Sequence, residues 1–448
     1  MMDDLTNATM TSSRVITRWQ WMAMAGIGLL ALLIRLAYVR TAIVDHPLRG
    51  DTLQYFAYAL NLIDHHTFSL APPGQTPVPD SFRDPGYPSF LAALSVYFGR
   101  EQAFYLATLD IQCILSAVTV SIYSLLVRRW VSMAAAVTVG CGLALWPHMI
   151  SMCGYVLSET LLGFLVASGL LALQMACERS STGAGLGAGL LFAAAALTNA
   201  VLTPLLPVFA AVAAWRDNGR RTLWVAVLIG ATLPSAAWIA RSATLPPERT
   251  ASDRMAMNFA QGSWPEYHLA WAPAMTGDPK AKAVMAAIDS DTKLLTDSPR
   301  AGMSAIFSRL LSHPGHYLGW YLSKPIELWG WSIGIGAGDL YPYPTFNSPL
   351  AGVGPLGLLT LAMAALNPLI FVLALAGFIV IFRSATRWPP SLLLAASAAA
   401  FVTIVFTLLQ SDARYSTPYR GIEWSLSAIG ASSLTRAISR MRNRGVRV

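Results

Sequence analysis

The sequence is poor in charge: Asp, Glu, Lys and Arg make up only 12% of 448 residues, about half the share in a soluble domain. Lysine is almost missing, with Lys280, Lys282, Lys293 and Lys324 the only four. The four cysteines, Cys113, Cys141, Cys153 and Cys177, form no CxxC pair and no Cys/His spacing, so the pattern offers neither a disulfide framework nor a zinc site. His65-His66 and His313/His316 are weak metal candidates, the second pair being interrupted by Pro314 and without a nearby carboxylate. No repeat at a period of about 20 to 50 residues occurs, which argues against solenoid architectures. No inverted repeat is visible either, which argues against the transporters built from them.

What is present is apolar. Hydrophobic residues make up 55% of the chain, and the mean hydropathy is +0.51. They recur in blocks near the ~20 residues that a helix needs to cross ~30 Å of hydrocarbon. The expected fold class is an all-α polytopic membrane protein with about ten transmembrane helices, drawn at residues 20–43, 103–127, 131–150, 158–177, 184–199, 200–215, 222–240, 358–382, 391–410 and 420–435. The first block, Trp21 to Val39, is too long for a signal peptide and has no convincing cleavage site after it, so it reads as a retained helix.

The net charge of +8 is a matter of placement. Arg14 and Arg18, Arg128-Arg129, Arg216 with Arg220-Arg221, Arg383 with Arg387, and the tail from Arg436 to Arg447 all fall on one side of the ten spans. That is the positive-inside pattern, not a phosphate stripe for nucleic acid. It puts both termini on the cytoplasmic side of the membrane. The chain then divides into a cytoplasmic N-terminus (1–19), a transmembrane module (20–240) with an outer loop at 44–102, an extracytoplasmic loop domain (241–357), three C-terminal transmembrane helices (358–435) and a basic tail (436–448). Within the outer loop, residues 51–64 and 86–98 have the mixed spacing of interfacial helices. Helical patches are expected near 280–296 and 300–328, and the aromatics from Tyr317 to Tyr343 read as an interfacial belt. Chemistry on the outer side has no access to ATP or nucleotide sugars, so an enzyme there needs a preactivated donor such as a lipid phosphate.

The polar motifs sit at that outer boundary. In GDTLQYFAYALNL, Asp51, Tyr55, Tyr58 and Leu62 share one helical face. An acid in a first turn also caps or complements the helix dipole, so structural and catalytic readings of Asp51 both stand. Arg83 and Asp84 precede the stiff turn Pro85-Gly86-Tyr87-Pro88. A guanidinium there can grip a phosphate or a lipid headgroup. Glu159 opens an apolar span, a costly place for an acid without a purpose, although Ser158 can serve as an ordinary cap. In SDARYSTPYRG, Arg414 and Arg420 lie on the side where arginine is rare, as does Arg241. Each calls for an anionic partner: a protein acid, a headgroup or a substrate phosphate.

The ordered set GD…Y…A…L…FS, FRDPGYPSFLAALSVYFG, YVLSETL, PSAAWIARS, SHPGHYLGWYLSK and ARYSTPY resembles the GT-C superfamily of glycosyltransferases. The match is to the branch related to protein mannosyltransferases and the lipid A aminoarabinose transferase. The resemblance implies a polyprenyl-phosphate sugar donor, inversion at the anomeric carbon and an extracytoplasmic glycan, lipid or protein acceptor. It implies Asp51 as the catalytic carboxylate and general base, Arg83 beside the lipid phosphate, Glu159 as second acid and Arg414 with Tyr415 in the phosphate site. Arg241 and Arg420 are further candidates for that phosphate, and Asp84 and Tyr55 for the acceptor. The chain departs from such relatives at Thr52, where a second acid is common, at Asp84, and at Asn199, where an arginine is common. No cofactor is required by the residues, and the resemblance leaves a divalent metal open. The rival reading is a transporter that flips lipid-linked saccharides, using the same arginines only to hold headgroups.

Overall fold

The computed structural model describes residues 17–246, 249–331 and 343–445, and the fold is almost wholly helical. The expected N-terminal segment up to residue 16, the end of the basic tail and part of the aromatic belt lie outside the described residues. Among the described residues, six helices are long and apolar enough to cross a membrane. They are α1 (Arg18–Thr41), α4 (Gln102–Trp130), α7 (Glu159–Arg179), α10 (Arg221–Ser242), α16 (Pro355–Arg383) and α17 (Pro390–Leu408). Between α1 and α4 lie two shorter helices, α2 (Gly50–His65) and α3 (Gly86–Phe98).

All ten expected segments fall on helices, but they are not ten equivalent spans. Residues 131–150 form α5 (Met133–Ala144) and α6 (Pro147–Ser151), which runs on to Gly154 and is bent 53° from α5. Pro147 has no N–H to donate back into α5, so the helix breaks there, which hydropathy does not register. The segments at 184–199 and 200–215 are shorter helices, α8 (Thr182–Thr198) and α9 (Leu205–Arg216). Asn199 closes the turn between them by accepting from the Val201 N–H at 3.1 Å. The last helix, α19 (Arg420–Gly445), carries an ion pair in its first turn.

Arginines sit in the last turn of α4, α7, α9 and α16, at the negative end of each helix dipole. Arg128, Arg129, Arg216 and Arg383, expected from the sequence to orient the chain, therefore also stabilise helix ends. Close packing relies on glycine. A Cβ on Gly189 would come within 2.4 Å of the Val227 carbonyl, and one on Gly377 within 2.0 Å of the Leu426 carbonyl. Those contacts let α8 meet α10, and α16 meet α19, backbone to backbone, as helices in lipid do at small residues.

Between α10 and α16, α11 (Ala251–Gly262), α12 (Tyr267–Met275), α13 (Pro279–Asp297), α14 (Pro299–Ser312) and α15 (Pro314–Trp329) surround a small core that includes Ala260, Tyr267, Ile288, Leu295 and Ile306. The first two were not expected from the sequence, because their short, mixed stretches lie among prolines. Lys324 fastens this unit to the bundle. Its buried ammonium donates to the carbonyls of Gly262, Thr407 and Leu409, where α17 ends with carbonyls that lack helical partners. Strands β1 (Ile43–Val44) and β2 (Thr345–Phe346) pair antiparallel and tie the exit of α1 to the approach to α16.

Candidate active site

Asp51 stands in the first turn of α2, but it does not cap the helix. Arg49 holds the N-cap position with no side-chain cap bond, and Gly50 adopts φ 53°, a left-handed conformation that disfavours any side chain. Both carboxylate oxygens of Asp51 turn to arginine instead. Oδ1 accepts from Arg83 Nη2 at 2.6 Å, and Oδ2 from Arg414 Nη2 at 2.8 Å. Arg414 reaches there from the four-residue helix α18 (Ala413–Ser416), whose start is capped by Asp412 at 2.7 Å from the Arg414 N–H. The tertiary structure thus joins three motifs separated by up to 363 positions.

Each arginine is held by its Nε as well. Arg83 Nε donates to Gln54 Oε1 at 2.6 Å, and Arg414 Nε lies 2.9 Å from Glu159 Oε1. The charged groups alternate in the order Glu159, Arg414, Asp51, Arg83 and sum to zero. Burial alone would push the Asp51 carboxyl up, but Arg83 and Arg414 override it and hold the group well below the usual carboxylate range. Glu159 Oε2 is buried without a hydrogen-bond partner. Glu159, Thr160 and Thr417 line a small cavity of about 20 Å3 beside it, enough for a single water.

The surrounding side chains fix this arrangement. The Tyr343 hydroxyl donates to the Arg49 carbonyl at 2.9 Å and accepts from the Thr52 N–H at 3.3 Å, clamping the start of α2. Tyr55 packs edge-on to Tyr87 with ring centroids 5.1 Å apart, and the Arg83 guanidinium lies 5.4 Å from the Tyr55 ring. Burial pushes the Tyr55 phenol up to about 12, against the pull of Arg83, so it stays protonated at neutral pH. Tyr415 stacks on Phe406 at 4.8 Å, with the Arg414 guanidinium 5.3 Å from its ring, and its hydroxyl faces Gln410 rather than Asp51.

Three expected residues lie elsewhere. Arg241 is spent on the carbonyls of Asp80 and Phe68 and stacks on Trp238 at 4.8 Å, so it clamps the 68–80 loop. Arg420 is fully buried, paired with Glu423 at 2.7 Å and bonded to the carbonyls of Trp329 and Gly330. Asp84 turns away from its neighbour Arg83 and accepts from Arg254 at 2.9 Å and from the Ala200 N–H at 3.3 Å. It therefore tethers α11 and the α8–α9 turn to the Arg83 segment. The physical reason is the same in all three: adjacent residues point in different directions, and each of these polar groups found an internal partner.

Sequence reasoning missed Gln54, Tyr343 and Arg254. Gln54 follows Asp51 by three positions, on the same helical face, and that spacing was a readable signal. Tyr343 meets Thr52 across 291 positions and carried none. As for a metal, among the described residues no group of three or more His, Cys, Asp or Glu converges. Asp51 and Glu159 meet with the Arg414 guanidinium bridging them, and a donor set already bridged by a cation does not fit a divalent ion.

No family model matches the sequence, and no curated protein matches it. Solved structures do. Archaeal oligosaccharyltransferase AglB from Archaeoglobus fulgidus, in complex with an inhibitory peptide and a dolichol-phosphate, aligns with a TM-score of 0.52 at 15% identity over 96% of this chain. The same enzyme tethered to an acceptor peptide containing the NVT sequon aligns at 0.54 and 14% identity over 95%. The chain has the GT-C fold. It spans about half the length of the oligosaccharyltransferase, covering 52% and 50% in the two alignments. ArnT from Cupriavidus metallidurans bound to undecaprenyl phosphate aligns over 94% of this chain and 79% of its own at 14% identity, with a TM-score of only 0.37. The residues around Asp51 supply this chain with an acid, two guanidinium groups and a second acid at one end of the bundle.

Proposed function

We propose that this protein is an inverting glycosyltransferase that moves a sugar from a polyprenyl-phosphate donor to an extracytoplasmic glycan, lipid or protein acceptor. The observation that carries the reading is the placement of Asp51 between the guanidinium groups of Arg83 and Arg414. The dolichol-phosphate found with the oligosaccharyltransferase of the same fold supports a lipid phosphate as the donor's carrier. The run of arginines at the opposite helix ends supports an extracytoplasmic site.

In the proposed reaction the isoprenoid tail stays in lipid, and the donor phosphate lies against Arg83 and Arg414. The acceptor oxygen attacks the anomeric carbon from the face opposite the phosphate. A new C–O glycosidic bond forms, the bond from the anomeric carbon to the phosphate oxygen breaks, and polyprenyl phosphate leaves with the electron pair. Asp51 accepts the acceptor's proton as general base and later returns it to water. The leaving phosphate is a stable anion, so the arginines' charge stabilisation and the alignment of two bound substrates replace a general acid. Tyr55, Tyr343 and Glu159 hold the frame.

The test uses full-length protein in lipid nanodiscs with a panel of polyprenyl-phosphate sugars. Donor consumption with a new glycosidic product, lost in Asp51→Asn, supports the transferase. Movement of intact lipid-linked saccharide across a sealed bilayer, with no bond cleaved, would identify a transporter instead.

A further inference from the structure

Two cations cannot serve three anions equally. The Asp51 cluster is already neutral, with each carboxylate oxygen of Asp51 taken by a different guanidinium group. A lipid phosphate that enters adds a negative charge and needs the same donors. Both arginines, however, are anchored independently of Asp51 through Nε, Arg83 on Gln54 and Arg414 on Glu159. Neither Nη1 has a hydrogen-bond or ion-pair partner among the described residues, and neither is a sealed interior orphan. The two forks therefore stay in place if Asp51 lets go.

Resting on the function proposed above, we propose that Asp51 and the donor phosphate exchange places on the guanidinium groups, with Gln54 and Glu159 as positioning residues that hold the arginines during the exchange. In the free protein Asp51 is a poor base, because Arg83 and Arg414 hold its proton affinity down. Once the phosphate takes the Nη groups, the carboxylate is left partly buried with less cationic compensation, and its proton affinity rises. The other ionisable groups facing it are Glu159, Tyr55, Tyr267, Tyr343 and Tyr415, and none of these supplies a replacement cation. Donor binding thus arms the base, and an acceptor hydroxyl that arrives first meets a disarmed one. The expected kinetic order is donor before acceptor.

The exchange is testable without transfer, using the methyl diester of undecaprenyl phosphate, which like the donor carries one charge that does not titrate above strong acid. Binding is measured with full-length protein in nanodiscs. Asp51→Asn removes the competing anion and is expected to bind the diester about tenfold tighter, the order of one charge-assisted hydrogen bond. Wild-type affinity is expected to rise as the pH falls through the raised pKa of the bound state, and Asp51→Asn to lose that dependence. Gln54→Leu, with no change in charge, is expected to weaken binding about tenfold by freeing Arg83. Equal or weaker binding by a folded Asp51→Asn overturns the exchange, and so does a pH-independent wild-type affinity, which needs no variant to fold. The transferase reading fails separately, if Asp51→Asn turns over normally in the transfer assay.

Discussion

Arg414 and Arg420 are six positions apart in SDARYSTPYRG, yet they end in opposite surroundings. Arg414 is 14% exposed and pairs with two acids from other motifs, of which Asp51 is 24% exposed. Arg420 is 0% exposed and pairs with Glu423 one helical turn away, at 2%. The inner pair's guanidinium is held through both Nη atoms by the carbonyls of Trp329 and Gly330, with its Nε left without a partner, and fastens Trp329-Gly330 against α19. The outer cluster keeps donors in reserve. A buried pair of local origin is a fastening, whereas a half-open cluster assembled from distant motifs can trade partners with an incoming anion.

The largest expected separation between the two regions comes from Asp51→Asn. It should lower the transfer rate by about 10²–10⁴-fold, the range for a lost general base, with a smaller loss of stability at neutral pH than a change to the inner pair. Near-normal turnover would remove Asp51 from the chemistry. Glu423→Leu should do the reverse, lowering stability by about 3–5 kcal/mol because it strands a buried charge. The double variant Arg420→Met/Glu423→Leu should recover most of that stability. If the single variant unfolds normally, the inner pair is not a fastening.

Lysine substitutions sharpen the contrast further. Arg414→Lys keeps the charge but cannot hold Glu159 and an anion in one planar fork. It should weaken donor binding by about tenfold, read as a rise in donor KM. Arg420→Lys should act on unfolding alone. Acid titration separates the regions by sign. Because the Asp51 pKa is depressed on folding, its contribution to stability is complete above an unfolded pKa of about 4 and is lost as the pH falls below it. The stability gap between wild type and Asp51→Asn should therefore be flat above about pH 5 and close below about pH 4. The smallest effect belongs to Arg254→Gln, which frees Asp84 and should cost about 0.5–1.5 kcal/mol in unfolding of the outer unit.

Much of the fold was legible because burial in lipid demands apolar stretches of set length, and those are written locally. The outer helices at 50–65 and 86–98 followed from spacing in the same way. The break before Pro147 and the helices at 251–262 and 267–275 did not, since average hydropathy blurs a kink and short mixed helices depend on the core they form together. At the site, Asp51, Arg83, Glu159 and Arg414 could be singled out as costly polar groups beside apolar spans. Arg241, Arg420 and Asp84 carried the same local signal and went to internal carbonyls and ion pairs.

The amino-acid sequence by itself determined that the chain is a helical membrane protein, which face its arginines occupy, and which few polar residues stand at the other face. Those properties follow from composition and period alone. Only the tertiary structure decided which of the polar residues share a site, because the partner of a charge is chosen by packing across hundreds of positions. That choice separates Arg414, held ready beside Asp51, from Arg420, sealed into the bundle.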